Sequence, residues 1–199
     1  MSGDSENPWP IDPDQLDKLV RFSSEPLSGS FIRRCMADSS LEVRGYIFNF
    51  VIDEPDVLKR IVPPLCFEDH KSFILGYLTQ CILEDPADDR QADSQFNACI
   101  SLMCWFRRVW IDLSLPRSEV VEAKRLIEKL YREGDAGLRY NLVFAGLEHL
   151  FENHAVREYF SDWAGGDPLF QEAYAEASEW TLKGGSNLFW PRDVNKVRE

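Results

Sequence analysis

The run Phe96-Asn-Ala-Cys-Ile-Ser-Leu-Met-Cys-Trp-Phe-Arg-Arg-Val-Trp-Ile-Asp-Leu113 is the most apolar stretch of the chain, and its reading decides the fold class. At helical spacing Phe96, Cys99, Ile100, Leu102, Met103, Phe106, Val109, Trp110 and Leu113 cover most of the circumference. An amphipathic surface helix shows one apolar stripe, so this pattern marks a central helix touched on several sides. The stretches on either side have to supply the helices that cover it.

Toward the C-terminus, Pro116 begins an amphipathic helix. Val120, Ala123, Ile127, Leu130 and Tyr131 face inward, while Lys124, Arg125, Glu128 and Lys129 face out. Gly134 falls where a left-handed C-cap residue belongs. Gly137 to Phe151 reads as a second core helix, carrying Val143, Leu147, Leu150 and Phe151. A segment from Ala155 to Trp163 follows. Asp167-Pro168 then caps and starts a last helix, with Phe170, Ala173, Tyr174, Ala177 and Trp180 inward and Gly184-Gly185 at its end. The aromatic tail Leu188-Phe189-Trp190-Pro191 is expected to pack back onto the body.

Toward the N-terminus, Phe67 to Leu83 aligns Ile74, Tyr77, Leu78, Cys81 and Ile82. Pro55 starts a short helix holding Val57, Leu58, Ile61 and Val62, stopped by Pro63-Pro64. Ser40 can cap a helix bearing Val43, Ile47, Phe50 and Val51 on one face. Tyr46–Ile52 also suits a strand by composition, but no second strand-like run is present to pair with it. Phe31–Met36 is a short helix after a loose segment 23–30, and Asp12-Pro13 opens the first helix, with Leu16, Leu19 and Val20 inward. The expectation is an all-α antiparallel helical array in one compact domain, 13–199, preceded by a flexible N-terminal segment, 1–12. Phe106, Trp110, Val143, Leu147 and Phe151 should lie deepest.

Composition bounds the function. The 199 residues include 34 acidic and 22 basic side chains, for a net charge of −12. Residues 1–100 hold 18 acids and 9 bases, whereas residues 101–199 hold 16 and 13. Phosphate contacts need a basic face, so direct nucleic-acid binding is disfavoured. No apolar stretch approaches the roughly 20 residues of a membrane helix. The start lacks the basic and apolar regions of a secretory signal, which leaves a cytoplasmic location as the default. Cys35, Cys66, Cys81, Cys99 and Cys104 form no C-x-x-C pair, and most have apolar neighbours, as suits reduced, buried thiols.

Motifs for chemistry are weak. His149 and Glu152 lie one turn apart, but His154 falls about 140° round the helix from His149, so the three do not form a zinc-type set. The acidic run Asp85–Asp93 lacks the glycine and terminal glutamate of a calcium loop. There is no nucleophile elbow, and Lys183-Gly-Gly-Ser186 lacks P-loop spacing. No cofactor is expected, and no catalytic or metal residue is assigned.

Two stretches share a local pattern: Asp38-Ser-Ser-Leu-Glu-Val43-Arg44 leading into Tyr46–Ile52, and Glu133-Gly-Asp-Ala-Gly-Leu138-Arg139 leading into Tyr140–Leu147. In each an acid precedes an apolar-Arg pair by the same spacing, and a hydrophobic helix follows. This resembles HEAT-type helical repeats, and the resemblance implies stacked antiparallel helices with a turn acid near an early arginine. In size, charge and helix content the chain also resembles the small acidic all-helical immunity proteins that bacteria pair with secreted toxins. That likeness implies a non-catalytic inhibitor of a basic partner such as a toxin. The residues that would meet it are those of two acidic turns: Asp53, Glu54 and Asp56, and Glu84, Asp85, Asp88 and Asp89. If the helices stack antiparallel, both turns could share one end and form a negative rim. The alternatives are a helical-repeat scaffold or adaptor, and a small helical enzyme with a carboxylate or Cys/His site.

Overall fold

The computed structural model describes residues 13–21, 24–52, 54–86, 92–183 and 190. The expected flexible segment 1–12, the cap Asp12 and the terminator Gly184-Gly185 lie outside them. The chain divides into two compact units, Met1–Ser94 and Gln95–Glu199. Helix dominates both, as expected from the periodicity. The β-structure among the described residues is one parallel pair of two-residue strands.

The first unit holds α1 (Pro13–Arg21), β1 (Leu27–Ser28), α2 (Gly29–Met36), α3 (Leu41–Ile47), α4 (Pro55–Leu58), β2 (Ile61–Val62) and α5 (Phe67–Glu84). Two expectations fail here. Ile61 and Val62 do not continue α4; they pair with Leu27 and Ser28 as strands. Pro63 and Pro64 forbid helix just beyond, and the extended backbone they favour lets Ile61 bury while Val62 faces out. Within the segment expected to be loose, the described residues 24–30 are more ordered: Leu27–Ser28 form a strand, and Ser28 caps α2 by accepting from the Phe31 amide. Ser40 does cap α3, its Oγ accepting from the Val43 amide at 3.3 Å. Beyond Ile47 the helix widens into a π turn, Phe48–Ile52, with Val51 and Ile52 buried. The core of this unit joins Ile32, Ile47, Val51, Tyr77, Leu78 and Ile82.

The second unit holds α6 (Gln95–Ile111), α7 (Arg117–Glu133), α8 (Ala136–Leu142), a π turn (Val143–Leu147), α9 (Glu148–Leu150), α10 (His154–Tyr159), α11 (Asp162–Gly165) and α12 (Pro168–Leu182). As its composition predicts, α6 is central, packed by α7, α8 and the π turn. Phe106, Val143, Leu147 and Phe151 are fully buried and Trp110 nearly so. Rings link these elements: Phe106 to Phe160 at 5.5 Å between centroids, Phe160 to Phe151 at 5.5 Å, and Phe151 to Tyr174 of α12 at 5.2 Å. Tilted ring pairs at such distances add to simple area burial.

Several inward or outward assignments are corrected. Phe96 and Trp180 are half-exposed, and Leu113 lies beyond the end of α6, 72% exposed. Lys124, assigned to the outer face of α7, is buried: its Nζ donates to both Asp162 oxygens at 2.6 and 2.7 Å and to the Tyr159 carbonyl at 3.3 Å, over the Phe160 ring. A lysine stem readily lies along apolar surface, and here the short helices α10 and α11 close over its head. Gly134 is not left-handed; its φ is −71°. It is needed for close approach, since a Cβ there would lie 2.7 Å from Leu138 Cδ2 and 2.8 Å from the Leu130 carbonyl. At the C-terminus, Trp190 is buried and its Nε1 donates to the His149 carbonyl at 2.9 Å, as the expected return of the tail requires.

Candidate partner-binding surface

The acidic turns arise from helix boundaries. Pro55 occupies the first turn of α4 and leaves Glu54 as N-cap in extended backbone, with no capping bond from its side chain. Glu54 and Asp56 are exposed. Asp56 accepts from Lys59 Nζ at 2.8 Å, and that hydrogen bond, reinforced by the lysine charge, holds its carboxyl below the usual value. At the far end, Glu84 closes α5, both its oxygens accepting from Gln80 Nε2 at 3.1 Å. Asp85 takes φ 43°, the left-handed cap that ends the helix. Aspartate tolerates this region better than most residues with a Cβ. Asp53, Asp88 and Asp89 lie outside the described residues.

Arg44 of α3 donates to Gln80 of α5, and four residues later the Phe48 ring packs tilted against Tyr77, 5.0 Å between centroids. The chain therefore runs antiparallel to α5 through α3 and its π turn. Glu84 closes α5, and by Phe48 the chain has moved back along that helix from its C-terminal end. Among the described residues, Glu54 and Asp56 flank the start of α4, and Glu84 and Asp85 end α5.

Other candidate residues are accounted for locally. His149 Nδ1 lies 3.3 Å from Glu152 Oε1, and His154 Nε2 lies 3.6 Å from Glu158 Oε1. Each histidine thus has its own carboxylate at helical spacing. No three histidines, cysteines or acids gather as a metal site among the described residues. Arg108 lies over the Trp105 ring, at 5.7 Å, within the run Trp105–Trp110. Burial pushes the thiols of Cys35 and Cys99 up to about 12 and that of Cys81 up to about 11. Buried thiols of this kind are poor nucleophiles.

Cys66 departs from the expected pattern of buried thiols. It is exposed and caps α5: Sγ accepts from the Asp69 amide at 3.4 Å while Asp69 Oδ2 accepts from the Cys66 amide at 3.1 Å. Arg33 of α2 donates to the same Asp69 oxygen at 2.9 Å, tying two helices at this cap. The signal was present as Cys66-Phe-Glu-Asp69, a capping box with sulfur in the place of a hydroxyl.

Comparison with protein-family models, with curated proteins and with solved structures finds no match for this chain. No helix among the described residues is long and apolar enough to cross a membrane.

Proposed function

We propose that the chain is a non-catalytic protein-binding module, an immunity- or inhibitor-type protein that occludes a basic partner such as a toxin. One observation carries this reading. The exposed carboxylates Glu54, Asp56, Glu84 and Asp85 project from two turns of the more acidic unit, at the start of α4 and the end of α5. An acidic surface of that extent attracts a basic partner at encounter and disfavours acidic ones. A toxin that handles nucleic acid must itself be basic to hold phosphates, so such a surface could cover its site.

The scaffold reading has one observation of its own. A side-chain cap, a seven-residue helix and a five-residue π turn recur in the same order in both units. Repeat scaffolds are assembled from such recurring units.

The test is kinetic. The protein recovered with the chain by affinity capture is measured against wild type and against a variant carrying Glu54→Gln, Asp56→Asn, Glu84→Gln and Asp85→Asn, at low and high salt. Asparagine keeps the left-handed cap at position 85 accessible. The expected result is slower association for the variant and loss of much of the salt dependence. Equal wild-type on-rates at both salt concentrations would defeat the electrostatic mechanism. Selective loss through one carboxylate alone would point to a catalytic group.

A further inference from the structure

We infer that the aromatic face formed by Phe96, Tyr140 and Phe144 in the second unit is a self-association surface, through which two copies of this chain form a reversible dimer. The inference is independent of the acidic turns and of the partner proposed for them.

The face is built by two neighbouring elements. Tyr140 of α8 and Phe144 of the π turn stand four residues apart and so share one helical face. Their rings stack, 5.4 Å between centroids and 12° between planes. Phe96, in the first turn of α6, packs tilted against Phe144 at 6.4 Å. The three rings thus form one continuous cluster, yet Phe96, Tyr140 and Phe144 are 39%, 57% and 41% exposed. About half the area of three such rings is roughly 300 Å² of apolar surface, a patch of the size that often marks an interaction site. Leu113 is more exposed still, but it lies past the far end of α6, about 20 Å or more from Phe96.

Charge selects the occupant. The chain as a whole carries −12, and 28% of its residues are charged. Residues 95–106 and 136–147, which carry the three rings, hold one charged side chain between them, Arg139. That guanidinium is committed to the Tyr131 and Arg132 carbonyls of α7. Glu148, one turn beyond Phe144, is buried. The polar groups beside the rings are amides: Asn141 Nδ2 donates to Gln95 Oε1 at 2.7 Å, and Asn97 is exposed. A basic partner finds no exposed carboxylate on these stretches, and an acidic partner finds only an arginine already engaged. A second copy brings the same neutral rings, which pair with one another offset or tilted. It also brings the same amides, each able both to donate and to accept. Elsewhere two copies of so acidic a chain repel, so an uncharged face is where they meet with least opposition. Contact of one patch with its own copy is the commonest arrangement of soluble oligomers.

Sedimentation velocity of the full chain, from about 1 μM to about 1 mM, tests the inference at low and high salt. Wild type is expected to pass from monomer to dimer across that range. Association should strengthen as salt is raised, because screening removes repulsion between like-charged copies while the neutral contact persists. Tyr140→Glu places a charge on the most exposed of the rings and should weaken association at least about tenfold, with circular dichroism unchanged. Leu113→Glu, at the other end of α6, should leave association as it is. Association weakened by salt, or equally weakened by both variants, or untouched by Tyr140→Glu, would overturn the proposal. A wild-type monomer throughout would also overturn it and leave the face to a different protein. Dilution of wild type followed by NMR of its aromatic rings decides without any variant. Concentration-dependent shifts centred on Phe96, Tyr140 and Phe144 are expected, and shifts centred elsewhere would overturn the inference.

Discussion

Residues 40–52 and 135–147 are built alike from different side chains. Ser40 and Asp135 each accept from the amide three residues on, at 3.3 and 2.8 Å. Leu41–Ile47 and Ala136–Leu142 follow, then the π turns Phe48–Ile52 and Val143–Leu147. One position further into each helix than the arginines' neighbours, a polar group reaches back to the first helix of its own unit: Tyr46 Oη to Asp17 Oδ1 at 2.8 Å, and Asn141 Nδ2 to Gln95 Oε1 at 2.7 Å. The equivalent arginines part company. Each lies over a tyrosine ring, Tyr77 and Tyr131, but Arg44 donates to Gln80 of α5, whereas Arg139 donates to the Tyr131 and Arg132 carbonyls at the end of α7. Neither pairs with the turn acid that the repeat pattern implied. Asp38 instead accepts from the Ser40 amide at 2.7 Å. Backbone form follows from local capping and apolar runs, while the use of a long cationic side chain is set by whichever carbonyl, amide or ring the neighbouring helix offers.

The sharpest difference lies inside the π turns. Val51 fills the first, and Gly146 stands at the same position in the second, where an added Cβ would come within 2.5 Å of Met103 Cγ. The second unit has spent that space on its central helix. Its core rings give the largest expected effect: Phe106→Ala should cost about 3–5 kcal/mol of stability if the cavity stays open. Denaturant unfolding followed by protection of the α6 and α8 amides checks it, and a loss below about 1 kcal/mol would mean that the rings around Phe106 close the gap.

Gly146→Val, which makes the second turn match the first, should cost about 1–3 kcal/mol by overpacking against Met103. Combining it with Met103→Ala should recover part of the loss, and additive losses in that double-mutant cycle would show that Met103 is not the obstacle. The caps come next. Asp135→Ala and Ser40→Ala should each cost about 0.5–2 kcal/mol, Asp135 more because its bond is shorter. Equal or reversed costs would show that the two helix starts differ in more than their caps.

The smallest expected change is chemical. Alkylation of the native chain at mildly alkaline pH, read by mass spectrometry, should modify Cys66 first, since it is exposed. Cys35, Cys81 and Cys99 should react only on unfolding, because burial raises their thiols and closes access. Early labelling of Cys35 or Cys99 would place the opening of its own unit well below global unfolding.

What the sequence determined by itself was the helical character of the chain and most of its boundaries. Capping at Ser40 and Asp167, the proline starts and the all-round apolar surface of α6 all act within a turn or two of backbone, so a linear reading captures them. What only the tertiary structure decided depends on partners distant in sequence. The strand Ile61–Val62 exists because Leu27–Ser28 lies beside it, and Lys124 is buried because Asp162 and the Tyr159 carbonyl meet its ammonium. The acidic turns were legible as composition and as helix boundaries, at the start of α4 and the end of α5. The cause is common to these cases: charge and hydrogen-bonding capacity are written residue by residue, but hydration is removed only where separate helices come together.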